Sequence, residues 1–554
     1  MKFEEMPYSR PDMEEITRQF RELNEEFDRA SSGEELFEVH RKYYRLTDHF
    51  STLMTIASIR HDIDVSDPFY DGEQKFYDSV RPSFLDSVVA YQKKLYYSRF
   101  RPYLEEKIGH PAFKNIELAM KSIDPGILTL MSEENALESA YGELIASASV
   151  EWAGEQRNLS RMEPFMHSPD RETRRQAWKT YEGFFTAHAE QLDELYDRLV
   201  KNRTAQAAAL GYDNYLPLGY CRMNRNCWDR ADIEQFRRQI REDIVPFAEK
   251  LHEQRRRRLG LSELRYYDED VFFTDGNPVP AGTPEQILEA GRRMYSEMSP
   301  ETGAFMDFMC SNEMLDVLGR SHKKTGGYMT YLPDYKTPFI FANFNGTSSD
   351  VDVITHECGH AFQAYISADD PIREHADITM DIAETHSTSM EFFTEPWMKM
   401  FFGNRAQDYI DMHFESEITF LPYGTMVDEF QDICYSDPGL SPHARNGVWR
   451  DLEKQYKPHL NYEGSEYYEK GAFWQNKHHI YESPLYYIDY CIAGIDALQY
   501  KAWMDRDRRA AWESYLKLCR LSASDFFTGL LPAVGLIVPF EDGCMRHVLK
   551  DIIK

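Results

Sequence analysis

The sequence predicts a mainly α-helical protein with one small β-sheet beside a helix that carries a His-Glu-x-x-His pattern. Three observations predict it. Apolar residues recur at helical spacing through most of the 554 residues. Only Lys336 to Phe344 is aromatic and apolar on both faces in the manner of a strand. The run His356-Glu357-Cys358-Gly359-His360 follows that strand on a helix with an apolar face.

Composition narrows the function classes. The chain is 42% apolar and 14% aromatic, which supports packed cores rather than disorder. Its net charge of -30 repels phosphate backbones, so no nucleic-acid partner is expected. The longest apolar stretch, near Gly529 to Phe540, is short and broken by Pro532 and Pro539, so no membrane span is expected. The start, Met1 to Tyr8, has neither a basic nor an apolar leader segment, so no secretory signal is expected. Eight scattered cysteines without a C-x-x-C pair read as free thiols, which points to a cytoplasmic protein.

Taken in order, residues 1–165 show helical patterning and no chemical motif, and read as a separate helical region, a lid or a wall. Residues 166–554 carry the chemistry. Ser168-Pro169-Asp170 opens a helix, with Ser168 as the expected cap and Pro169 in the first turn. Trp178, Tyr181, Phe185, Leu192, Leu195 and Leu199 then form a core stripe. Arg255 to Arg258 read as a solvated helix end. Asp275-Gly-Asn-Pro-Val-Pro280 breaks the helical pattern across residues 272–283 and is a candidate boundary.

Gly326-Gly327-Tyr328 to Leu332 is the expected hairpin partner of the Lys336 to Phe344 strand. Pro338 has no N–H to give a ladder, which puts that strand at a sheet edge or starts it at the proline. An edge strand beside a metal site holds an extended peptide by main-chain pairing, so Phe341, Ala342, Asn343 and the following Gly346 are candidate substrate-binding residues.

Ser348-Ser349-Asp350 are suited to cap the next helix, along which Val351, Ile354, Cys358, Phe362 and Tyr365 are spaced. His356 and His360, four residues apart, share one face and suit a tetrahedral zinc. Glu357 is within reach of a water at the same ion. With 18 histidines in 554 residues, chance supplies on the order of 0.06 such patterns, so coincidence is a poor explanation. Catalytic zinc takes a third protein ligand, expected from the segment Ile378 to Phe393. Glu384 lies there amid Ile378, Ile382, Met390 and Phe393, and a carboxylate in such surroundings needs a partner. Asp381 and Glu391 fall on nearly the same face, and periodicity does not choose among the three.

These segments resemble the thimet oligopeptidase and oligoendopeptidase F family, and most of all its bacterial oligoendopeptidase F and Pz-peptidase branch. The resemblance rests on His356-Glu-Cys-Gly-His-Ala-Phe-Gln363, Ala383-Glu384-x-x-Ser387, Gly326-Gly-Tyr328, Phe339-Ile-Phe-Ala-Asn-Phe-Asn-Gly346 and Leu210-Gly-Tyr-Asp-Asn-Tyr215. It covers about residues 160–545; the N-terminal part matches only as helical. It implies a two-lobed helical shell around a substrate channel, and one zinc ion per chain held by His356, His360 and Glu384, with Glu357 as the base. Cys358 departs from the apolar residue usual there and is expected to pack behind the metal.

The implied activity is endopeptidase cleavage of short unfolded peptides. The family's Tyr-x-x-Tyr falls on Tyr487 and Tyr490, and with His479 these are the implied stabilisers of the transition state. Asp381 and Glu391 remain as groups that orient a ligand histidine. Two other readings stay open: a helical metallocarboxypeptidase with the same motif, and a non-enzymatic peptide-binding scaffold.

Overall fold

The computed structural model describes residues 1–320, 322–324, 326–344 and 347–553. Helices account for 73% of the chain, as the apolar periodicity requires. The strands are β1 (Val150–Trp152), β2 (Glu155–Arg157), β3 (Leu315–Leu318), β4 (Tyr328–Leu332) and β5 (Thr337–Phe344).

The chain forms two compact units. The first comprises Met1–Met120, Val279–Ala406 and Ala497–Leu536; the second comprises Lys121–Pro278, Gln407–Asp496 and Ile537 onward. The Pro-rich loop expected as a boundary is one, since the units divide at Pro278 and Val279. The units are discontinuous in sequence.

Unit one opens with three long helices, Met13–Arg29, Gly33–Ile63 and Pro68–Tyr96. Each begins at a side-chain cap that satisfies free backbone N–H groups: Asp12 accepts from Glu14 at 2.9 Å, Ser32 from Glu35 at 3.2 Å, and Asp67 from Phe69 at 2.8 Å. Their shared core includes Phe20, Phe50, Phe84 and Tyr91, with Phe50 and Phe84 stacked at 3.9 Å. These helices form one body with the metal-bearing segments. His40 lies 2.6 Å from Glu374, the Arg373 Nε donates to Asp48 at 3.0 Å, and the Tyr328 hydroxyl donates to Asp62 at 2.9 Å.

The sheet of unit one has the order β3-β5-β4, with β3 parallel and β4 antiparallel to β5. The Gly326 to Leu332 stretch does supply the antiparallel partner. Of the two positions that Pro338 left open, the edge does not hold, because β5 is the central strand and β4 is an edge, whereas the start of the strand does, since β5 begins at Thr337. Pro338 is tolerated for a local reason. The Ile340 N–H points to the β3 side, where Met314 accepts it at 3.0 Å, and the pleat aims the Pro338 nitrogen the same way. The β3 pairing begins only at Ile340, so no donor is needed at Pro338.

Unit two is built on the helix Arg171–Ala209. Its cap is Asp170, accepting from Thr173 at 2.8 Å, two residues later than expected, while Ser168 accepts from the Asp170 N–H. Trp178, Phe185, Leu192, Leu195 and Leu199 of the expected stripe are buried. The arginine run is a correction. Arg255 is fully buried over the Phe272 ring at 3.9 Å, and both Arg255 and Arg258 bind Glu415. Arg256 and Arg257 pair with Glu253, and Arg257 and Arg258 remain exposed. Among the described residues no helix is long and apolar enough to cross a membrane.

Candidate metal centre

The metal motif lies on the helix Ser348–Ser367, which starts at Thr347, one residue before the expected cap, with Asp350 in its first turn. The helix Met380–Thr394 packs against it inside unit one. Gly359 permits that approach. A Cβ there would lie 2.6 Å from the Ser387 Cα and 2.9 Å from the His386 carbonyl oxygen, so any side chain would push the helices apart.

Three predicted ligands converge between these helices. His356 Nε2 stands 3.3 Å from Glu384 Oε2, and His360 Nε2 stands 3.6 Å from the same oxygen. Ligand bonds of about 2.0–2.2 Å at a tetrahedral ion put ligand atoms roughly 3.3–3.6 Å apart, so the set fits zinc in donor type and in spacing. Glu384 is only 3% exposed, and Ser387 Oγ donates to its Oε2 at 3.0 Å, which fixes the carboxylate.

The other nitrogens of the two imidazoles are also engaged. Glu391 Oε1 lies 2.7 Å from His356 Nδ1, and the Ala383 carbonyl accepts from His360. Asp381 has different work: it accepts from Thr379 Oγ1 and, at 2.8 Å, from the Ile382 N–H at the start of its own helix. Burial alone would lower the His356 pKa, but Glu384 and Glu391 reverse that and hold it well above the usual histidine value. His360 is pushed down to about 4, first by burial, with Glu384 opposing.

Glu357 projects from the same helix and is half-buried. Burial raises its pKa; His356 pulls it down, Glu384 pushes it up, and the Met329 backbone of β4 pulls it down again. A carboxyl group raised in this way suits a residue that takes a proton and returns it. Cys358 is buried on the other face, toward Tyr295, and burial raises its thiol pKa, which makes it inert packing.

Phe341 and Ala342 are fully buried in the central strand, and β5 is hydrogen-bonded on both sides, so they have no free main-chain edge to offer a peptide. Asn343 is also committed: its side-chain amide donates to the Lys324 and Gly326 carbonyls at 2.8 and 2.9 Å. Gly346 lies outside the described residues. The available edge is β4, beside a cavity of about 750 Å³ lined by Tyr44, Thr330, Tyr331, Gln363 and Ile378. The hairpin partner was recognisable in the sequence as Gly-Gly-Tyr, but its role as the edge was not. His479, Tyr487 and Tyr490 belong to unit two, where the rings of Tyr487 and Tyr490 lie 4.9 and 6.0 Å from His479.

A mainly helical chain with two histidines and a glutamate converging between two packed helices beside a small sheet has the makings of a metallopeptidase. Family profiles agree: the peptidase M3 N-terminal domain matches residues 3–123, and peptidase family M3 matches residues 164–275 and 305–522. The chain belongs to peptidase family M3 and is an oligopeptidase of the metalloendopeptidase class.

Its relatives include a solved Pz peptidase A carrying an inhibitor, 44% identical with a TM-score of 0.93, the match covering 99% of this chain and 98% of that one. A structure provisionally assigned as an oligoendopeptidase F is 43% identical with a TM-score of 0.93, covering 99% and 97%. Oligopeptidase PepF of Bacillus subtilis (strain 168) is 22% identical over 93% of this chain and 80% of its own length.

Proposed function

We propose that this chain is a zinc-dependent oligopeptidase that cuts internal bonds of short unfolded peptides, with His356, His360 and Glu384 holding one zinc ion per chain and Glu357 as general base. The observation that carries the reading is the meeting of both Nε2 atoms with one Glu384 oxygen at 3.3 and 3.6 Å, with Glu357 beside them. A bound zinc ion would supply Lewis acidity, acidifying a water to a pKa of about 7 and polarising a peptide carbonyl.

The residues of the chain divide the remaining work. Glu357 takes the proton of the attacking water and passes it to the leaving nitrogen. Glu391 orients the His356 ring, and Ser387 holds Glu384. The β4 edge is suited to hold the peptide in extended form. His479, Tyr487 and Tyr490 are the proposed donors to the oxyanion, on the family resemblance. The eight cysteines are free, which supports a cytoplasmic site of action.

Metal analysis of the purified protein, followed by mass spectrometry of a mixed peptide library with and without chelator, tests the proposal. We expect near-stoichiometric zinc, internal cleavage products and their loss with chelator. Glu357→Gln is expected to keep zinc while lowering kcat by about 10²–10⁴. Unchanged turnover in that variant, or cleavage that survives metal removal, would overturn the assignment.

A further inference from the structure

Unit two contains a cavity of about 490 Å³ with tyrosine-rich walls. Lys477, two residues before His479, lines it. The Lys477 ammonium stands 5.4 Å from the centre of the Tyr423 ring and 5.1 Å from that of Tyr487. Among the described residues it has no hydrogen bond and no ion pair; the one acid that acts on it does so at longer range, from Asp270.

Two of the other acids on this cavity, which Glu417 also lines, are held by partners of their own. Glu269 is bound by Lys457 at 2.6 Å and by His459 at 2.7 Å. Glu453 accepts from Trp449 at 2.7 Å and from Tyr462. Lys477 is thus a partly buried cation held against two aromatic faces, with its counter-ion position open to the cavity. Ring faces compensate an ammonium only in part, and a carboxylate does so more fully. Burial also lowers the Lys477 pKa to about 8, which shows how little countercharge it has.

We propose that Lys477 and the tyrosine walls form a subsite for a carboxylate of the bound peptide, the ammonium taking the acid and the rings taking the adjoining apolar part. The carboxylate has two sources, a free C-terminus or a Glu or Asp side chain. The choice of a peptide as ligand rests on the oligopeptidase reading; the anion preference rests on the cavity alone.

The test uses full-length, zinc-loaded protein carrying Glu357→Gln to prevent turnover, with calorimetric binding of three probes: acetyl-Gly-Pro-Phe as free acid, the same peptide as C-terminal amide, and acetyl-Gly-Glu-Phe amide. At least one acidic probe is expected to bind about tenfold more tightly than the neutral amide. Preference for the free acid alone assigns the terminus, and preference for the Glu probe assigns the side chain. Lys477→Met is expected to bring the acid-to-amide ratio near one, and Lys477→Arg to restore most of it. A ratio near one in the protein with Lys477 intact, or a ratio unchanged in Lys477→Met, would overturn the subsite. Acid preference without any peptide cleavage by the native chain would instead remove the oligopeptidase reading and leave the anion subsite standing.

Discussion

Glu391 holds the ring of His356 from behind, with Oε1 at 2.7 Å from Nδ1, so that Nε2 faces Glu384. Replacing Glu391 by Ala removes that support and leaves the three ligands in place. Zinc affinity is then expected to fall about 10–100-fold, measured by competition with a chelator. An unchanged affinity would mean that the ring is fixed by packing alone.

The choice of third ligand is tested by a pair of variants. Glu384→Ala is expected to strip the metal, because the carboxylate that both imidazoles face is gone. Asp381→Ala removes a contact at the start of the helix and is expected to retain it. The opposite result in metal analysis of the two proteins would move the ligand to Asp381.

Zinc binding is expected to be proton-linked. Without metal, Glu384 and Glu391 overcome the effect of burial and hold the His356 pKa well above the usual histidine value. The ion needs the neutral ring, so binding expels a proton and affinity rises with pH. Calorimetry at pH 7 in two buffers of different ionisation enthalpy measures the release. No buffer dependence would contradict a protonated His356.

Gly359→Ala places a methyl group where the next helix already lies, 2.6 Å from the Ser387 Cα. A loss of about 1–3 kcal/mol in stability is expected, with weaker zinc binding because the ligands sit on the two helices forced apart. Thermal melts with and without zinc separate the two effects; a melt unchanged in both would show that the helices yield without cost.

The parts of this site that were legible in the sequence are those set by one helix. Four-residue spacing puts His356 and His360 on one face whatever surrounds them, and Glu384 stood out because its neighbours are apolar. The division of labour between Asp381 and Glu391 was not legible, since both share a face with Glu384 and only the packed helix pair shows which reaches a histidine. The sheet misled for a similar reason. The four residues of β3 carry little signal, and without them Pro338 left an edge strand and a strand start equally open, when only the first residues of β5 lack a second partner. The arginine run reads as a surface from composition, because nothing nearby in sequence announces Glu415, well over a hundred residues away.

Unit one closes with Ala497–Leu536, and this last segment backs the metal helices. The Tyr515 hydroxyl donates to the His386 carbonyl at 3.0 Å, and Gln363 donates to Ser522 Oγ at 3.0 Å. A ribosome making this chain therefore releases the His-Glu-x-x-His helix long before its support exists. Until residue 522 or so has emerged, the nascent helices carry a bare apolar flank and an unbraced set of metal donors. A chain stalled short of that point would be a client for chaperones rather than a hydrolase at large among unfinished polypeptides.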